Sequence, residues 1–285
     1  MKIFTKKLFK ALEFFVGLLI LIVLVYKIGV INIYHTLVTI NVGYVFVALI
    51  MLFFVLLMST YNIGIFVRGL GYTMHYRVIA DCVFLMWVIG LIMPFRLSGV
   101  SLILLLHEKN IAMKDAIAIT MVDKIVTFFL LFTIITLGLL SYFPTYALIQ
   151  YVAFFILFLL IVGVLVFTSV SESLFVRIFR RFHLDLSGYA IVSKRLILKK
   201  GLVALNGLVT FIRILVASLI PYILFIGFDY HPPFLEFILV SILVATIASM
   251  PITFAGLGLR EATAVVLFKN LLGLNPVVTT SVYLV

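Results

Sequence analysis

Charged side chains are few in this chain, and several stand in sequence that is otherwise apolar. Arg96, Asp123, Arg213, Arg260 and Glu261 are of this kind. An ionised group at the centre of a membrane helix costs about 2.5–3.5 kcal/mol on insertion scales, so such residues face a bundle interior or a wet cavity. Arg96 lies two residues past Pro94 in the segment Met93-Pro94-Phe95-Arg96-Leu97-Ser98-Gly99. Arg260 and Glu261 lie just past Met250-Pro251-Ile252-Thr253-Phe254-Ala255-Gly256-Leu257-Gly258. Proline removes a backbone donor and clashes with the preceding turn, so both segments break a helix. A helix that restarts after a break offers free N–H groups and the positive end of its dipole. With Arg96, Ser98 and Gly99 at one break, and Gly256, Gly258 and Arg260 at the other, the chemistry favours an anion such as a lipid phosphate. The alternative is that Arg260 pairs with Glu261 or a backbone carbonyl and holds the break together.

Arg213 is too deep in its apolar stretch to reach the interface easily and needs a partner; Asp123 and Glu261 are the candidates. Asp123 and Lys124 are adjacent and cannot share a helical face, so one points inward while Lys124 reaches toward the interface. The expected binding set is therefore Arg96, Ser98, Gly99, Asp123, Arg213, Gly256, Gly258, Arg260 and Glu261. Other chemistries lack their residues. No Gly-x-x-x-x-Gly-Lys-Ser/Thr loop is present, and Gly256-x-Gly258 lacks the third glycine of a dinucleotide turn. His107-Glu108 has no second histidine four residues on, and Cys82 stands alone. No cofactor, no metal and no catalytic constellation is expected, and the chain reads as a non-enzyme.

The elements that must position these residues follow from composition. Of 285 residues, 66% are hydrophobic and 11% charged, against about 25% charged in a soluble domain. The excess apolar surface has to face lipid. The formal charge of +11 then reads as loops held on the cytoplasmic side, with no nucleic-acid partner. Lys2, Lys6, Lys7 and Lys10 precede a retained first span over Leu8–Lys27, and the polar patch Asn32 to Asn41 turns the chain. Further spans are expected over Gly43–Val67, Lys114–Leu140, Ala147–Val170 and Gly201–Phe228, with a sixth from Asn275-Pro276 that the end at Val285 leaves incomplete. The blocks Cys82–Leu106 and Phe234–Leu272 are each broken at the proline. Ser171 to Lys200 is the longest polar segment, and its Arg177, Arg180 and Arg181 mark the cytoplasmic side.

Positive-inside bookkeeping puts both ends of Cys82–Leu106 in the cytoplasm, so that block enters the membrane and returns. Pro251 lies 157 residues after Pro94, and Gly256 lies 157 after Gly99. The order span, span, broken hairpin, span recurs with opposite starting side, as in an inverted-topology repeat whose broken elements mark the binding site. The expected fold is an all-α membrane protein with about six transmembrane helices and two re-entrant broken helical hairpins. It forms one polytopic domain over 1–285, with repeats 8–140 and 147–285, in the cell membrane with a cytoplasmic N-terminus.

The two break segments, with Ala116 to Lys124 after the first and Leu272-Gly273-Leu274 after the second, resemble the lysylphosphatidylglycerol synthase transmembrane-region family. The likeness covers nearly the whole chain. Its more specific part is the proline followed by Gly-x-Gly-x-Arg-Glu. Members occur as the flippase part of bacterial aminoacyl-phospholipid synthases, fused to glycosyltransferases, and alone. The resemblance implies movement or binding of an anionic or lipid-linked substrate, or presentation of it to a partner glycosyltransferase or aminoacyltransferase. Val100 stands where the family often has an acidic residue. With no soluble acyltransferase domain in the chain, aminoacyl transfer itself is not expected.

Overall fold

A computed structural model describes residues 18–92, 98–142, 188–249 and 257–285. Every described element is a helix: α1 (Leu18–Ile28), α2 (Val30–Thr39), α3 (Val42–Gly69), α4 (Tyr76–Ile92), α5 (Ser98–Glu108), α6 (Met113–Tyr142), α7 (Tyr189–Leu198), α8 (Lys200–Gly227), α9 (Phe234–Ala248), α10 (Leu259–Leu272) and α11 (Pro276–Leu284). Among the described residues α3, α6 and α8 are long and apolar enough to cross a bilayer, and α1 with α2 passes the same test as a bent pair. That makes a helical membrane protein with three or four candidate spans. The expected span over Ala147–Val170 and residues 93–97 and 250–256 of the two proline breaks, Arg96 and Gly256 included, lie outside the described residues.

Two segments differ from the sequence reading. The polar patch from Asn32 is not an open turn. Val30–Thr39 is helical and is bent by 82° from α1 at Gly29, whose φ of 95° is open to glycine and costly to other residues. Its Asn32, His35, Thr36 and Thr39 recur at i, i+3, i+4 and i+7, the period of a helix face. The polar segment Ser171 to Lys200 likewise contains α7, which buries Tyr189, Val192, Ser193 and Leu196 at the same spacing.

The described chain forms two compact units. One comprises Leu56–Trp87 and Ser98–Arg213. Its core joins Phe66 and Val67 of α3, Ile79 and Val83 of α4, Leu102 and Leu106 of α5, Ile119 and Val122 of α6, and Leu196 of α7. Between α3 and α4, the Tyr72 hydroxyl donates to Asp115 Oδ2 at 2.6 Å and accepts from the Ala112 N–H at 3.2 Å. Burial first, and the Asp115 hydrogen bond second, raise the Tyr72 pKa above the usual phenol value. The neutral phenol is thus the form that ties this turn to the first turn of α6.

The other unit comprises Met1–Val55, Val88–Leu97 and Ile214–Val285. Its core is a ring cluster: Phe237 lies 4.6 Å from Phe268 and 5.1 Å from Phe225, centroid to centroid. Asn275 caps α11, its Oδ1 accepting from the Val277 N–H at 2.8 Å, and Pro276 opens the helix. Within this unit α3 is exposed along Phe46, Leu49, Phe53 and Phe54. Only 6% of the most apolar window of α3 is buried in protein, which leaves lipid as its solvent.

Helix α3 meets α4 through a glycine. A Cβ at Gly64 would come within 2.6 Å of the Tyr76 ring. That ring is held by Arg68, 4.0 Å above it, and by Tyr61, stacked at 6.0 Å. Gly64→Ala is therefore expected to destabilise the fold by about 1–3 kcal/mol, as overpacking does. Gly201→Ala, where nothing lies within 4 Å, should leave the melting temperature unchanged or raise it. Thermal unfolding of the two variants in the same detergent compares them directly.

Candidate functional site: a buried polar seam and an arginine–glutamate corner

Three helices of the first unit each turn one polar face inward. On α8, Asn206, Thr210 and Arg213 recur at i, i+4 and i+7. On α6, Asp123 and Thr127 stand four apart, and on α3, Ser59 and Asn62 stand three apart. These spacings stack side chains above one another, and the three faces meet. Asn62 Nδ2 donates to Thr210 Oγ1 at 2.8 Å. Asn206 Nδ2 donates to Asp123 Oδ1 at 3.3 Å. Arg213 donates from Nη1 to Ser59 Oγ and from Nη2 to Thr127 Oγ1, both at 3.1 Å. The Thr127 hydroxyl in turn donates to the Asp123 carbonyl at 2.8 Å.

The seam is buried and incompletely paired. Asn62, Asn206 and Thr210 are fully buried, and Asp123 nearly so. Asn62 Oδ1 and Asn206 Oδ1 accept no hydrogen bond, and a buried acceptor without a donor is costly. Arg213 sits at the midpoint of the 28-residue α8. Asp123, the candidate partner in the same unit, forms no ion pair with it. Its hydrogen bonds go to the hydroxyls of Ser59 and Thr127. The guanidinium is met by neutral hydroxyls, while the Asp123 carboxylate of the same seam takes the Asn206 amide.

The second corner lies in the other unit. Arg260 Nε contacts Glu261 Oε1 at 3.3 Å, and Arg260 Nη2 donates to the Tyr283 carbonyl at 2.7 Å. Its guanidinium also sits 5.3 Å from the Tyr283 ring centre. Of the two readings open for Arg260, the pairing with Glu261 and a backbone carbonyl is the geometry present. Gly258 caps α10 with φ 72°, and no side chain caps this end. Glu261 stands in that helix's first turn, where the dipole favours a negative group. Glu261 is buried, and its Oε2 has no partner.

Of the residues expected from the sequence, Asp123 and Arg213 join one seam through Thr127, and Gly258, Arg260 and Glu261 join one corner. Gly99 packs its Cα face toward Thr120, where a Cβ would lie 3.7 Å from Cγ2. Ser98 is the first residue of α5. Arg96 and Gly256 lie outside the described residues. Sequence reasoning missed Ser59, Asn62, Thr127, Asn206 and Thr210, because neutral polar residues are common in membrane helices. The available signal was the helical spacing of Asn206 and Thr210 with Arg213. Among the described residues no three of His, Cys, Asp and Glu gather as a metal-ligand set.

The family model described as the lysylphosphatidylglycerol synthase TM region matches residues 10–285. The chain belongs to that family. No curated protein matches it.

The pair Asp123–Asn206 makes a testable couple. Asp123→Leu leaves both ends of the Asn206 amide unpaired in a buried site, an expected cost of about 1–3 kcal/mol. Replacing both residues by Leu removes the orphaned groups together, so the double variant should melt closer to wild type than the single. Melting temperatures of the two single variants and the double, in one detergent, measure the coupling.

Proposed function

With membership of the lysylphosphatidylglycerol synthase transmembrane-region family as the premise, we propose that this chain is a flippase or transporter-like binder of a phospholipid or other lipid-linked anionic substrate. One observation carries the reading: Arg213 lies halfway along a membrane-length helix and spends its donors on Ser59 and Thr127. A guanidinium held at depth by neutral hydroxyls favours an anion, and its planar fork suits phosphate oxygens two at a time. The unpaired carbonyl oxygens of Asn62 and Asn206 add acceptors for a donor-bearing head group.

Alternating access between two inverted halves is the movement this reading uses. The order and length of helices support the repeat. Helices α2 and α7 have 10 residues each, and α3 and α8 have 28 each. Shorter helices follow in both series: α4 and α5 in one, α9 and α10 in the other. Val42 and Lys200, the starts of the long pair, are 158 residues apart, close to the spacing of the two proline segments. The charge bias of the loops supports a cell-membrane protein with its N-terminus in the cytoplasm. The role in this reading is one of carriage, for which a seam of amides, hydroxyls, one carboxylate and one guanidinium offers binding groups.

Reconstitution tests this. Proteoliposomes with fluorescent phosphatidylglycerol should show faster transbilayer exchange than protein-free vesicles, read by quenching with a membrane-impermeant reductant. Arg213→Gln should slow the exchange at least about tenfold, the scale of a lost charge-assisted hydrogen bond, with unchanged elution on size exclusion. No acceleration for any anionic or glycosylated lipid would sink the transport reading. Retained lipid binding without exchange would instead match a subunit that presents a lipid to a partner glycosyltransferase or aminoacyltransferase.

A further inference from the structure

Helix α2 is amphipathic in an unusual sense. Val30, Ile31, Tyr34 and Val38 are the exposed residues of an apolar side. Its polar stripe, Asn32, His35, Thr36 and Thr39, lines a cavity of about 390 Å³. Tyr230, from the turn after α8, and Asn275, the cap of α11, line the same cavity. Phe228 and Val278, both buried, supply its apolar lining. All of these residues belong to one unit. A helix that shows hydrocarbon outward and amides and hydroxyls into a concavity is arranged around a polar occupant. Ligand sites are concave, in the range of about 300–1,000 Å³, with a few placed polar groups on an apolar lining.

The hydrogen-bond inventory narrows the occupant. The Thr36 hydroxyl donates to the Asn32 carbonyl at 2.9 Å, and that of Thr39 to the Thr36 carbonyl at 2.8 Å. Both hydroxyl oxygens keep acceptor capacity. Asn32 donates from Nδ2 to the Ile28 carbonyl at 3.3 Å, which leaves its Oδ1 to accept. Across the cavity Asn275 spends Oδ1 on the Val277 N–H, which leaves Nδ2 to donate. Tyr230 brings a phenol, and His35 a donor and an acceptor. Acceptors and donors in similar number match groups that are both at once, namely hydroxyls. An anion fits poorly. No Lys or Arg is among the lining residues, and the first free N–H of α11 is already taken by its own cap.

We propose that this cavity is a binding site for a neutral, hydroxyl-rich group of about one sugar ring, carried on a lipid or free in water. The site shares no residue with the Arg213 seam and does not depend on transport. It adds a neutral recognition element to a chain whose other candidate sites carry charge.

The full chain in phosphatidylcholine nanodiscs, doped equally with monoglucosyl-diacylglycerol and diacylglycerol, tests the proposal by native mass spectrometry of retained lipid. Wild type should retain the glucosylated lipid in preference. His35→Ala combined with Asn275→Asp removes two ring and amide groups yet keeps an acceptor to cap α11. It should lower that preference about tenfold, as two lost hydrogen bonds of about 0.5–1.5 kcal/mol each imply. Thr39→Val offers a milder second variant with the same direction, and Val38→Ala, on the apolar side, should change nothing. Methyl β-glucoside, followed by saturation-transfer NMR, separates the sources. Competition by the free glycoside identifies a water-soluble ligand, and retention of the glycolipid alone identifies a head group. Equal retention of the two lipids by wild type with no glycoside signal overturns the proposal, as does a preference that both pocket variants leave intact.

Discussion

In hydrocarbon, an Asn amide or an Arg guanidinium without a protein partner has no water to turn to. The faces of α3, α6 and α8 are built around that cost. Asn62 finds Thr210, Asp123 finds Asn206, and Arg213 finds Ser59 and Thr127. Once those pairs form, the register of the three helices is restricted, because sliding one helix by a turn would leave several groups unpaired together. Such interhelical hydrogen bonds are individually modest, about 0.6 kcal/mol on average in membrane proteins. Their weight here lies in specifying register more than in summed energy.

The same cost explains what faces outward. Apolar side chains of α3 and α2 stand exposed because lipid is their solvent. Small residues let helices approach where dispersion must replace the hydrophobic drive. Gly64 against Tyr76 is such an approach, and Gly69 is another, where a Cβ would fall 2.5 Å from Leu202. The aromatic cluster around Phe237 fills the corresponding role in the other unit.

Arg260 and Glu261 show how one pair of charges can serve two ends. Arg260 is tied to Glu261 and to the last helix through the Tyr283 carbonyl, so it links the start of α10 to α11. Glu261 keeps one buried oxygen without a partner. The corner is therefore a structural tie that still holds an unsatisfied acceptor, as the seam does at Asn62 and Asn206.

Composition alone determined that this chain lives in lipid, and hydropathy placed Met113–Tyr142 and Lys200–Gly227 almost to the residue, because length and apolarity of a span are local properties. The motif at Pro251 to Glu261 was likewise legible as a family signature. The burial of Asp123 and Glu261 was readable too, since a charge in an apolar run needs no partner to be noticed. The partners were not readable. Arg213 takes two hydroxyls, Ser59 and Thr127, which three-helix geometry brings to it, and sequence spacing carries no information across helices. The tertiary structure also turned the polar patch at Asn32 from a loop into the wall of a cavity. A polar helix face and a polar turn share one composition, and only the tertiary structure, which sets Asn275 and Phe228 around the same cavity, decides which of them the chain becomes.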